Sequence, residues 1–192
     1  MNQLQNSKTK TKPIKTQDLV LTALMAAILC ILGPLSIPIG PVPISLGTLA
    51  IFLITYIAGM KRAFIACCLY ILLGFIGLPV FAGFTGGAAK LLGPTGGYII
   101  GYLPLILCTG FFTDRFSEKK VSAHLFCLLG MTLGTVVLYA LGTIWLAKML
   151  DDTFVSALHY GVFPFLLTDG LKMLIAMLLG PVLHERLPYH FR

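Results

Sequence analysis

Charge is what this sequence has least of. Only 11% of its 192 residues are charged, while 57% are hydrophobic; a soluble domain carries about 25% charged residues. So small a chain cannot bury that much apolar surface away from water, and its solvent must be lipid. Segments alternating between polar and apolar residues are also missing, which excludes a transmembrane β-barrel. The apolar runs are continuous, and helices are the remaining way to satisfy a backbone in hydrocarbon. The reading is an all-α integral membrane protein.

Catalytic signatures are missing too. No His-Glu-x-x-His, no Gly-x-Ser-x-Gly and no pair of aspartates within an apolar run occurs, so neither a zinc nor a serine hydrolase is indicated. The phosphate-binding pattern Gly-x-x-x-x-Gly-Lys-Ser/Thr is absent, and the run Gly93-Pro94-Thr95-Gly96-Gly97 lacks its lysine. The four histidines, His124, His159, His184 and His190, are scattered near segment ends. The five cysteines, Cys30, Cys67, Cys68, Cys108 and Cys127, are odd in number, lie in apolar segments and have no metal-ligand spacing; buried free thiols are expected. No catalytic residue, metal or cofactor follows from these patterns. The net charge of +7 does not point to nucleic acid, because the cations form short clusters between apolar runs.

What is present is a polar tail, residues 1–16, followed by a transmembrane domain over 17–192. The basic start meets an apolar run without a small-residue cleavage site, so no removable leader is expected. Six apolar segments are placed at 17–35, 46–60, 62–78, 98–114, 121–149 and 162–184. The second and third are short for a span of about 20 residues, and the intervening Gly59-Met60-Lys61-Arg62 makes them a compact helical hairpin. Lys8, Lys10, Lys12, Lys15, Lys61, Arg62, Arg115, Lys119, Lys120, Arg186 and Arg192 all fall on one side of that arrangement, and only Lys90 and Lys148 on the other. The positive side is expected to be cytoplasmic, with both termini there.

The outer connections differ in kind. Residues 34–45 carry four prolines, which exclude a regular helix. Residues 79–97 are apolar and glycine-rich, and 150–161 hold Asp151, Asp152 and His159. Irregular backbone at a membrane is buried in protein or lines a cavity, so these loops are expected to fold over something, with their glycines allowing close approach to a ligand. Gly130-x-x-x-Gly134 is expected to pack helices within the protein, whereas Ala23-x-x-x-Ala27 is not assigned by spacing alone.

Asp169 and Lys172 are an ionisable pair inside an apolar run, three residues apart on one helix face. One reading is a self-satisfied pair that fixes helix packing. The other is a polar anchor for a solute. A carboxylate accepts from N–H groups and an ammonium donates to a carbonyl, so the pair suits a urea, an amide or an amino acid. Thr168 and Tyr139 could add neutral hydrogen bonds.

The run GFIGLPVFAGFTGGAAKLLGPTGGYIIGY, ending at residue 102, resembles the signature of the BioY family, the biotin-binding S-components of energy-coupling factor (ECF) transporters. The PVPISLGTLA run of residues 41–50, the Ala23/Ala27 spacing and the TDGLK run of residues 168–172 are similar to further family motifs, and the likeness covers the chain from about residue 17. The resemblance implies an S-component fold of six transmembrane helices in a bacterial plasma membrane. It implies capture of biotin from outside, with ATP hydrolysed by two cytoplasmic ATPase subunits joined through a membrane scaffold subunit. Asp169 and Lys172 would contact the ureido ring, Tyr98 and Tyr139 would surround the fused rings, and Pro41, Val42 and Pro43 would form a lid. Ala23 and Ala27 would dock on the scaffold. Thr85, Gly86, Gly87 and Lys90 are candidates for reaching the ureido group or the valerate carboxylate. The family pattern continues Pro-Val-Pro-Ile-Thr-Leu-Gln, so Ser45 keeps a hydroxyl while Gly47 loses an amide. A stand-alone biotin facilitator, or an S-component for another small vitamin, is the alternative.

Overall fold

The computed structural model describes residues 16–116 and 121–186. Residues 1–15 of the expected polar tail, the basic residues of the 117–120 loop and the last six residues lie outside that range. Among the described residues the regular elements are helices apart from one two-stranded ribbon and an isolated bridge.

Helix α1, Thr16–Leu32, buries Leu21, Met25 and Leu29 on one face. Ala23 and Ala27 lie on its exposed face beside Val20 and Leu24. The proline-rich segment that follows cannot be helical, and it forms an antiparallel ribbon of β1, Ser36–Ile37, and β2, Ile44–Ser45. Ile37 faces Ile44 and Ser36 faces Ser45, with Gly40 at positive φ in the turn.

The next element, α2, runs Gly47–Phe75 and breaks at Gly59, where φ is 77° and ψ is 168°. Side chains avoid that backbone region, and glycine enters it at no steric cost. The N–H of Met60, which begins the second half, is bonded by the Asp114 carboxylate at 3.2 and 3.4 Å. The two halves run in opposite directions. Gly47 lies under Tyr102 and Gly110 against Met60, so the first half runs parallel to α4, the helix Gly96–Phe116. The second half begins with Arg62 paired to Asp18 at 2.6 Å and ends with Tyr70 against Gly33, so it follows α1 in parallel. The hairpin expected between segments two and three is therefore present, hinged on one residue.

A compact cap comes next, with Phe81 paired to Thr85 and a four-residue helix α3, Ala88–Leu91. Helix α4, Gly96–Phe116, packs antiparallel to α5, Val121–Leu150. Gly97 rests on Trp145, Gly101 on Leu138, Leu105 on Gly134 and Phe112 on Gly130. A Cβ on Gly97 would lie 2.3 Å from that of Trp145, so these positions require glycine for the two backbones to approach. Gly130 and Gly134 thus pack inside the protein, as their spacing suggested. The 150–161 connection is not a loop: it contains α6, Phe154–Gly161, capped by the Thr153 hydroxyl accepting from the Ser156 N–H at 3.2 Å. Helix α7, Phe163–Arg186, closes the described chain.

Four of these helices, α2, α4, α5 and α7, are long and apolar enough to cross a membrane; α1 is shorter. Large apolar side chains stand on the outside of the bundle, among them Ile31 at 66% and Leu167 at 84% exposure. A surface of that kind is stable against lipid and not against water. The five cysteines are unpaired, with Cys67 and Cys127 buried. Cys68 faces outward, against the burial expected of all five, because helical periodicity turns it away from its neighbour.

Candidate ligand-binding site

A cavity of about 340 Å³, counting the part open to its mouth, lies where the ribbon meets the helices. Its walls come from five parts of the fold. The ribbon contributes Val42, Pro43 and Ser45, and the first turn of α2 contributes Thr48. Tyr98 and Tyr102 enter from α4, and Leu138 and Tyr139 from α5. Phe165, Asp169 and Lys172 enter from α7.

The polar end is a single hydrogen-bonded cluster. Lys172 Nζ donates to Asp169 Oδ1 at 2.7 Å and to Thr48 Oγ1 at 2.9 Å. Thr48 Oγ1 donates to the same carboxylate oxygen at 3.1 Å, and the Tyr139 hydroxyl donates to Oδ2 at 2.8 Å. Both charged residues are nearly sealed from solvent, at 3% exposure for Asp169 and 6% for Lys172. A buried charge is tolerable only when paired and hydrogen-bonded, and here it is both. The helix rise puts Asp169 about 9 Å and Lys172 about 14 Å beyond the start of α7.

The unused valence of the cluster defines what it can bind. A carboxylate offers about four acceptor positions and an ammonium three donors. Three of the acceptor positions are taken, two on Oδ1 and one on Oδ2. Two of the Lys172 donors are taken. What remains is one acceptor, on Asp169 Oδ2, next to one donor, on Lys172. The matching ligand group presents an N–H beside a C=O. The pair is mutually neutralised, so the group need not carry a net charge.

The rest of the lining is aromatic and aliphatic. Tyr98 donates to the Gly161 carbonyl at 3.0 Å, which anchors the ring against α6 where it lines the cavity. The Tyr102 hydroxyl and Ser45 Oγ converge over Gly47, where a Cβ would lie 2.7 Å from Tyr102 Oη. The amide that Gly47 lacks therefore has its space filled by Tyr102. Ser45 Oγ also accepts from the Gly47 N–H at 3.2 Å.

Of the residues singled out from sequence, Asp169, Lys172, Tyr139, Tyr98 and Ser45 are brought together here, with Val42 and Pro43 of the segment expected as a lid. Thr85, Gly86, Gly87 and Lys90 are not on the wall. Thr85 Oγ1 donates to the Ala82 carbonyl at 2.9 Å, and its backbone pairs with Phe81. A Cβ on Gly86 would meet the Leu78 carbonyl at 2.2 Å, and the Gly87 N–H donates to the Gly74 carbonyl at 2.7 Å. Gly86 therefore serves a close chain-on-chain contact, and Gly87 supplies the positive φ of 90° at the start of α3. Lys90 is half-buried on α3. Thr168 turns back to the Phe165 carbonyl at 3.0 Å and adds nothing to the site. Thr48 and Tyr102 were not singled out, since neither stands in an unusual sequence context and their partners are on other helices. Trp145 was also passed over; its indole N–H donates to the Gly93 carbonyl at 2.9 Å and holds the glycine-rich turn that launches Tyr98.

The family model that matches this chain is that of the BioY family, over residues 5–189. The biotin transporter BioY2 of Lactococcus lactis is 37% identical over 91% of this chain and 94% of its own length. The biotin transporter BioY of Thermotoga maritima is 36% identical over 85% of this chain and 94% of its own. Among solved structures, the S-component for biotin from an ECF-type ABC transporter superposes with a TM-score of 0.79 at 31% identity, covering 92% of this chain and 96% of that one. With family model, relatives and fold in agreement over nearly the full length, the chain belongs to the BioY family.

Proposed function

We propose that this chain is the biotin-binding S-component of an ECF-type importer. The observation that carries the reading is the residual valence of the cluster, one acceptor on Asp169 beside one donor on Lys172. A ureido ring presents that pairing, an N–H next to a carbonyl. The sulfur-containing ring fused to the ureido ring and the start of the valerate chain are apolar, and they match the wall of Tyr98, Tyr102, Leu138 and Phe165. The ribbon with Val42 and Pro43 covers the cavity as a lid.

The membrane arrangement follows from charge. Counting α1, the two halves of α2, α4, α5 and α7 gives six spans. Among the described residues, Lys61 and Arg62 follow the Gly59 reversal while Arg115 and Arg186 lie at the ends of α4 and α7, so that end is cytoplasmic, with both termini, and the cavity opens outward. The chain binds and passes biotin, while two cytoplasmic ATPases and a membrane scaffold subunit supply the energy. The exposed face of α1 with Ala23 and Ala27 is the surface for that scaffold, because small residues let a second helix come close.

Calorimetric titration of the purified, detergent-solubilised chain tests the reading. Saturable biotin binding at one site per chain is expected, with Asp169→Ala and Lys172→Ala each weakening it at least about tenfold. Absence of biotin binding by a folded wild-type protein would overturn it.

A further inference from the structure

We propose that Thr48 is a positioning residue of the site, which fixes the hydrogen-bonding valence that Asp169 and Lys172 show to the ligand. The inference rests on the biotin reading above and names a residue that reading does not need. Its starting point is a contrast among threonines. Thr22, Thr55, Thr113, Thr132 and Thr135 each donate their hydroxyl to the carbonyl four residues back in their own helix. That is the ordinary way for a helical threonine to satisfy its side chain in an apolar setting. Thr48 does not. It sits in the first turn of α2, where the residue four back, Ile44, belongs to β2 and not to the helix. Its hydroxyl instead crosses to α7, donating to Asp169 Oδ1 at 3.1 Å and accepting from Lys172 Nζ at 2.9 Å.

That single oxygen fills two places at once. It takes one acceptor position of the carboxylate and one donor of the ammonium, and it closes a three-membered ring of hydrogen bonds with the direct Lys172–Asp169 contact at 2.7 Å. Without it, the ammonium has one further donor to place and the carboxylate one further acceptor. Both would be free to turn, so the N–H and C=O of a ligand would meet no fixed pair. The hydroxyl thereby sets both the orientation and the number of groups offered to the ligand. It also ties α7 to the end of α2 that follows the ribbon, three residues after Ser45.

The test uses the purified full chain and biotin. Thr48→Val keeps the shape and removes the hydroxyl; Thr48→Ser keeps the hydroxyl. Loss of about tenfold in biotin affinity for Thr48→Val and near wild-type affinity for Thr48→Ser are expected. Because Thr48 acts through the pair, the loss should largely vanish when Thr48→Val is made on a Lys172→Met background, a double-mutant cycle that a merely structural role would leave additive. Undiminished affinity of Thr48→Val, or a penalty that adds in full, overturns the inference while leaving the biotin reading intact. No biotin binding by the wild-type chain would overturn both.

Discussion

Replacing Asp169 by Asn separates the structural from the ligand-binding part of the buried pair. The change is nearly isosteric, and its cost can be worked from the contacts. An amide oxygen placed at the Oδ1 position still accepts from Thr48 and Lys172, the two donors there now. The amide nitrogen then takes the Oδ2 position, facing the Tyr139 hydroxyl, which can rotate to accept instead of donate. The acceptor left for the ligand is gone, and a donor stands where a ureido N–H would arrive. One charge-assisted hydrogen bond is lost, about 1.5–3 kcal/mol, or about 10- to 100-fold in affinity. Lys172 meanwhile becomes a buried cation without a counter-charge; breaking such a pair costs up to about 3–5 kcal/mol of stability, less here because Thr48 still accepts. Adding Lys172→Met removes the lone charge, and stability should recover, since an apolar substitute for a buried ion pair is commonly neutral or better. Binding should not recover. Calorimetry and thermal unfolding in one detergent measure the two quantities. Affinity of Asp169→Asn within about twofold of wild type, or binding regained together with stability in the double variant, would refute the assignment of the pair to the ligand.

Three further outcomes are expected. Ala23→Trp should leave biotin affinity unchanged and prevent co-purification with the scaffold subunit; an intact complex would remove α1 from the docking surface. Gly97→Val should lower the unfolding midpoint, because its Cβ would lie 2.3 Å from that of Trp145 and overpacking costs about 1–3 kcal/mol; an unchanged midpoint would contradict the packing described. Lys90→Ala should alter biotin affinity by less than about threefold, since Lys90 is off the cavity wall; a tenfold loss would bring the glycine-rich cap into the site.

The apolar runs made most of the helical scaffold legible before any coordinates. The first and last segments, expected at 17–35 and 162–184, correspond to Thr16–Leu32 and Phe163–Arg186. Glycine at 59 between two short runs was enough to place a reversal. Two elements were not legible. The ribbon of residues 36–45 was excluded as helix by its prolines, but pairing of two-residue strands leaves no periodicity to read. Helix α6 spans only eight residues and was hidden in what looked like a polar connection. At the site, Asp169 and Lys172 stood out because charge is costly in hydrocarbon. Thr48 did not, since its importance comes from a contact with α7 across 121 residues of sequence. The glycine-rich cap stands out by composition alone; Gly86 and Gly97 answer to the close approach of Leu78 and Trp145, and Gly83 and Gly87 to positive φ.

The most direct test is a structure of the biotin-bound protein. The ureido ring should lie in the cavity beneath Val42 and Pro43, an N–H bonded to Asp169 Oδ2 and the carbonyl oxygen to Lys172 Nζ, with Thr48 still bridging the pair. Biotin held against residues 85–90, or with its carboxylate and not its ureido group at Lys172, would contradict that arrangement.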